Sequence, residues 1–166
     1  MRSILVAGAA CAAAFSFAAV AAGTPKKAAA KKEAVTLSAA DLKWGEAPPV
    51  LPKGAQIVVL HGNPFAKGEF AFRLKMPDGY RIAPHWHSLD EQLTVLTGTL
   101  VLHMGYTMDA PAHNLEPGSY HFLPGRMHHS AEAKGEMIVE LHGMGPFDIH
   151  YLNPADDPTK ATAATK

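Results

Sequence analysis

Cysteine is nearly absent: Cys11 is the single example in 166 residues. One cysteine rules out an intrachain disulfide framework and a thiolate metal cluster. Net charge is absent as well, with 15 basic residues against 15 acidic. With it goes the electrostatic footprint of a nucleic-acid binder. Aromatic residues are sparse at 8%, and no internal repeat is present. The length suits one domain of ordinary size and not comfortably two.

The neutrality is an average over unlike segments. Arg2, Lys26, Lys27, Lys31 and Lys32 all precede the first acidic residue, Glu33. Between Ser38 and Asp157 there are 8 basic and 14 acidic residues, a formal charge of −6. What this stretch has in abundance is histidine. All 10 lie between His61 and His150.

Residues 1–22 have the form of a secretory signal peptide. Arg2 supplies the positive start, Ile4 to Val20 carries no charge, and Ala19-Val20-Ala21 or Val20-Ala21-Ala22 offers small residues for cleavage. The run is mostly alanine, too weakly apolar for the roughly 20-residue span of a membrane anchor. Gly8-Ala9-Ala10-Cys11 lacks the large apolar residue of a lipoprotein site. The expectation is an exported protein, periplasmic or extracellular, with no stable membrane span after cleavage. Residues 23–35, rich in Ala and Lys, form an expected disordered linker, and residues 158–166 a disordered tail. The folded domain is expected at 36–157.

Inside those limits the pattern is β. Gln56–Leu60 is a short apolar run, and Glu69–Met76 alternates so that Phe70, Phe72, Leu74 and Met76 share one face. Further strands are expected at Gln92–Leu96, Thr99–Met104, Ser119–Leu123, Met137–His142 and Asp148–Leu152. Turns are expected at Pro77-Asp78-Gly79, Thr97-Gly98, Glu116-Pro117-Gly118, Pro124-Gly125, Lys134-Gly135 and Gly143–Pro146. Short strands with this punctuation indicate an all-β sandwich or barrel. The one helix-like stretch is Leu37–Leu42, with Ser38 as an N-cap.

His85-Trp86-His87 is the chemical signal. Residues two apart on a strand face the same side, so both imidazoles can reach one ion while Trp86 points away. A short connection, Ser88-Leu89-Asp90, then lets Glu91 open the returning strand beside them. A slip of one residue would substitute Asp90 or Gln92. A third imidazole is available from His128 or His129. Three nitrogens and a carboxylate suit Mn, Fe, Co, Ni, Cu or Zn rather than Ca or Mg.

The glycines and prolines around these residues resemble the cupin superfamily. Gly79-YRIAP-His85-Trp86-His87-SLD-Glu91-QLTVLT-Gly98 fits the pattern G(X)5HXH(X)3–4E(X)6G at every fixed position. Gly118-SYHFL-Pro124-Gly125-Arg126-MH-His129 fits G(X)5PXG(X)2H(X)3N in part, with Arg126 at the glycine position and Ala133 at the asparagine. The resemblance implies a single-domain jelly-roll β-barrel. It also implies one divalent transition metal held by His85, His87, Glu91 and His129, with His128 facing away or on the rim. The stretches KWGEAPPVLPKGA and LHGMGPFDIHYLNPADDP further resemble small cupins of unknown function related to the cupin half of the ChrR anti-sigma factor. No anti-sigma helical domain accompanies them.

Two functions follow from that resemblance. One is an exported mononuclear metalloenzyme acting on a small organic molecule, by oxygenase-like or isomerase- and lyase-like chemistry. The other is a non-catalytic cupin that binds or senses a metal or small molecule. Every obvious general base is already assigned as a ligand. A homodimer is a further possibility by analogy with other cupins. His103, His121 and His142 are candidates to line the cavity; Tyr80 and Arg81 are expected near its mouth as solvated strand residues.

Overall fold

Alternation of apolar and polar side chains organises the described chain into strands that curl one sheet around a core. The computed structural model describes residues 33–161. By contact density the chain divides into Met1–Ala34, of which only residues 33 and 34 are described, and Val35–Lys166. The expected signal peptide at 1–22, residues 23–32 of the expected linker and residues 162–166 of the expected tail lie outside the described residues.

The second unit contains β1 (Gly45–Glu46), β2 (Gln56–Gly62), β3 (Gly68–Met76), β4 (Arg81–Trp86) and β5 (Glu91–Met104). It continues with β6 (Ala112–Leu115), β7 (Tyr120–Leu123), β8 (His129–Gly145) and β9 (His150–Tyr151). All pairings are antiparallel. The sheet runs β1-β2-β3-β8-β4-β9, and β5 pairs with β6, β7 and β8. The 17-residue β8 is the spine. Its second half pairs with β3 from Met76↔Met137 to Gly68↔Gly145, and its first half pairs with β4. Along its other edge it pairs with β5 nearly end to end.

Side-chain period two on β3 buries Phe70, Phe72, Leu74 and Met76, as the alternation indicated. They meet Leu93 and Val95, Leu100 and Leu102 from β5 and Met137, Val139 and Leu141 from β8. Each such buried side chain contributes about 1.5–3 kcal/mol relative to exposure. Tyr80, expected to be solvated, belongs to this core, its hydroxyl donating to the Pro52 carbonyl.

Two expected turns are interior to strands. Thr97-Gly98 lies in the middle of β5, where the register with β8 shifts on either side of Thr97. The residue is glycine because a Cβ there would come within 2.8 Å of the Glu136 carbonyl oxygen, and because its φ is +69°. Lys134-Gly135 likewise sits inside β8, at the point where that strand changes partners from β4 to β3. Glycine in a long curved strand marks a bend or bulge as readily as a turn. The Leu37–Leu42 stretch is a 3-10 turn over Ala39–Asp41 with Ser38 at its N-cap. The tail begins with a short helix, α1 (Pro158–Ala161), in place of irregular chain; the Asp157 carboxylate accepts from the Thr159 N–H at its start. No helix among the described residues is long and apolar enough to cross a membrane.

Candidate metal centre

Strand register brings the cluster together before any ligand is considered. His85 on β4 pairs directly with His129 at the start of β8, and their ring centroids are 4.1 Å apart. His87 lies just beyond the end of β4, its ring 4.9 Å from that of His85 and 5.2 Å from that of His129. Between them, Trp86 turns to the opposite face and stacks on His150 with centroids 4.0 Å apart. Glu91 opens β5 on the inner face. Its Oε2 is 3.4 Å from His129 Nε2 and 3.7 Å from His87 Nε2. All four side chains are buried, between 2% and 7% exposed.

The loop that places His87 and Glu91 is held from both sides. The Arg126 N–H donates to the His87 carbonyl at 2.8 Å, and the Gly125 N–H donates to Asp90 Oδ1 at 2.8 Å. Gly125 is required by this approach, since a Cβ would lie 2.8 Å from the Ser88 carbonyl oxygen. Arg126 adopts φ +68°, the left-handed conformation that favours glycine. The displaced glycine therefore leaves the turn in place, with arginine taking the strained position. Asp90 is thus committed to the loop. Gln92 accepts a hydrogen bond from the Tyr120 hydroxyl at 3.0 Å.

Each histidine of the cluster has its Nδ1 against a backbone carbonyl. His85 meets Ala83 at 2.7 Å, His129 meets Met127 at 3.2 Å, and His87 meets Asp148. A carbonyl only accepts, so each Nδ1 carries the proton and each Nε2 is left with its lone pair. Ligand nitrogens from all three lie within 4.8 Å of one another. His87 Nε2 and Glu91 Oε2 are buried without a hydrogen-bond partner. Leaving such groups unpaired is costly, and a cation among them satisfies both.

Burial, with the mutual repulsion of the three rings behind it, lowers the His85 pKa well below its ordinary value. Burial likewise lowers that of His87, against the pull of Glu91. For Glu91 burial works upward, but His87, His129 and His85 outweigh it and hold the carboxyl down to about 2. Burial thus favours the neutral form of His85 and His87, and with the His129 imidazole and the Glu91 carboxylate they make a donor set that fits a divalent transition ion.

The other histidines stand apart. His128 turns its ring against exposed Tyr106, on the far side of the strand from His129. His103 pairs with the Ala110 carbonyl at 2.8 Å. His142 borders a shallow groove outside the barrel. His121 has a buried Nε2 with no hydrogen-bond partner, but it does not border the cavity beside the cluster. Arg81 is paired with Glu132 at the surface. Asp148 was not legible as a site residue. It takes the His87 proton on its backbone carbonyl and the Ser88 N–H on its carboxylate at 2.7 Å.

One wall of the cluster opens on a cavity of about 360 Å³ inside the barrel. It is bordered by Pro48, Val50 and Leu51, and beside the cluster by Phe147, which stacks on His87 at 4.5 Å. These residues lie in the two stretches whose resemblance to other small cupins carried no assigned role.

The curled antiparallel barrel around this histidine cluster has the cupin fold. Solved structures agree on the fold. The polyketide cyclase RemF from Streptomyces resistomycificus is similar with a TM-score of 0.64 at 16% identity, over 79% of this chain and 94% of that one. An RmlC-like cupin from Shewanella frigidimarina has a TM-score of 0.54 at 15% identity, over 68% of this chain and 91% of that one. A structure of the DMSP lyases RdDddP and RnDddQII has a TM-score of 0.54 at 17% identity, over 68% of this chain and 63% of that one. The chain belongs to the family described as DUF4437, a domain of unknown function, whose model matches residues 12–149. No curated protein matches the sequence.

Proposed function

We propose that this protein is an exported mononuclear metalloenzyme that acts on a small organic molecule, with His85, His87, Glu91 and His129 as the ligands of one divalent transition metal. The observation that carries the reading is the position of the donors. They form part of the wall of a cavity large enough for a substrate, whereas a purely structural ion is enclosed by protein. A bound divalent ion supplies Lewis acidity toward an oxygen of the substrate, which suits oxygenase-like, isomerase-like and lyase-like chemistry alike.

The chain's own contributions are orientation and an apolar surround. The carbonyls of Ala83, Met127 and Asp148 fix three Nε2 lone pairs toward a common point. Glu91 brings one negative charge, so that a divalent ion in the site keeps a net positive charge to attract an oxygen donor. Phe147, stacked on His87, supplies an apolar wall beside the cluster.

Elemental analysis of the mature protein isolated from its own compartment should find one transition metal per chain. His85→Ala with His87→Ala should remove it. A wild-type protein with no stoichiometric metal, or a double variant that keeps it, would sink the assignment. N-terminal sequencing of that protein checks export: a chain starting near Ala22 supports it, and one starting at Met1 opposes it. Oxygen uptake and product analysis with chelating enols and phenols then address the reaction. Stoichiometric metal with no exchangeable coordination position would favour the binding or sensing role instead.

A further inference from the structure

The chemistry of the cavity wall narrows the ligand. Of the residues bordering it, the polar ones are His85, His87, Glu91, His129 and Asp148, all gathered at one end. Every other bordering residue is apolar, among them Phe72, Leu93, Leu102, Val139 and Ile149. No Lys, Arg, Ser, Thr, Tyr, Asn or Gln is found among the described residues of this wall. Arg73 and Arg81, both on strands that border the cavity, are paired with Glu140 and Glu132.

We infer that the ligand of this cavity is an uncharged, mainly apolar molecule of about aromatic-bicycle size with a single oxygen-bearing head, held with that head at the histidine cluster and its body against the apolar wall. The position of the head rests on the proposed metal centre; the character of the body rests on the wall alone. A carboxylate, sulfate or phosphate elsewhere on the ligand would lie against apolar side chains, with no Lys or Arg among the described residues of the wall to pair with it. A polyol would leave its hydroxyls dry and unpartnered against Leu, Ile, Val and Phe, which costs free energy at each one. The Asp148 carboxylate offers little compensation, being already engaged by Ser88 and His150.

The size is consistent with this class. A volume of about 360 Å³ corresponds to roughly a dozen waters of liquid at about 30 Å³ each. The apolar lining also reaches the surface. Phe65 borders the cavity yet is 60% exposed, and Val50 and Leu51 are half-buried beside it. The segment carrying these two is tied down by half-buried Tyr151, which donates to the Val50 carbonyl at 2.8 Å, and by buried Tyr80, which donates to that of Pro52. The way in is therefore apolar, and its rim is fixed.

Calorimetric titration of the mature protein as isolated tests this with matched probes. These are 1-naphthol, 1-naphthol-4-sulfonate as the same body with an anion, and glucuronate as a polar acid. Leu51→Trp and Ile149→Trp, two half-buried wall positions, fill the cavity without touching the cluster. Metal content and a thermal melt are measured on every sample. Naphthol should bind, with the sulfonate and glucuronate weaker by at least about tenfold. At least one folded Trp variant should weaken naphthol by about tenfold while keeping its metal. No binding of naphthol, or binding of either acid as tight as naphthol, overturns the inference. So does naphthol binding left unchanged in both folded Trp variants. Cavity-dependent naphthol binding by a protein that carries no metal supports the apolar ligand while overturning the metal centre. Stoichiometric metal without selective naphthol binding does the reverse.

Discussion

Three backbone carbonyls set the tautomers of His85, His87 and His129, and the least visible of them is that of Asp148. It lies 61 residues from His87 and acts through its main chain, so no side-chain pattern announces it. The ligand candidates themselves were legible because they are close in sequence, two apart at the end of a strand and four apart across a loop. His129 required one more step, the choice over His128, which the resemblance to the second cupin motif supplied through the spacing from Pro124; strand alternation said only that both could not face one ion. Asp148 should matter through its carboxylate, which tethers the loop at Ser88. Asp148→Ala keeps every ligand but frees that loop, and metal affinity should drop by about tenfold, as is typical when a supporting partner is lost. Competition against a chromogenic chelator measures it. An affinity equal to wild type would show that the loop needs no tether.

At the scale of elements, the strand interiors were legible and their lengths were not. Alternation locates the core of β3 and turn punctuation locates parts of β5 and β8, but glycines at 98 and 135 read in sequence as turns that end strands. Both are places where a long strand bends around the barrel, and a sequence shows the same residue for either purpose. Gly98→Ala is expected to destabilise by roughly 2 kcal/mol, because it adds a Cβ against the Glu136 carbonyl and forces a positive φ. Chemical denaturation reads this, and a variant within error of wild type would contradict the bulge. The turn at Gly125-Arg126 gives the converse case. There the sequence departs from the motif, yet the backbone keeps the motif's shape, with strain at Arg126. Arg126→Gly should therefore be more stable than Arg126→Ala by about 1 kcal/mol, since both lose the contact over Trp86 and only glycine relieves the left-handed φ. Equal stabilities would mean that the turn carries no strain.

For the whole molecule, the histidine-rich interior couples folding to pH. An unfolded chain takes up protons on His85 and His87 near pH 6.5. The folded chain resists, because burial lowers both pKa values. Below about pH 6.5 the unfolded state therefore holds more protons, and stability must fall as pH falls. Glu91 acts in the same direction at lower pH. Its carboxyl is held at about 2 in the fold against an ordinary 4.5, so its contribution is complete above about 4.5 and is lost as pH drops toward 2. A bound metal opposes the loss, since it ligates the neutral imidazoles of the folded chain and stabilises it by mass action. Chelator-treated protein should thus show a Tm that declines steadily from pH 7.5 to 5, and His85→Gln should flatten that decline by removing one of the two titrating rings. Metal-loaded protein should have the higher Tm throughout. A metal-free Tm that stays level over this range would mean that the cluster is not closed to protons as its burial requires.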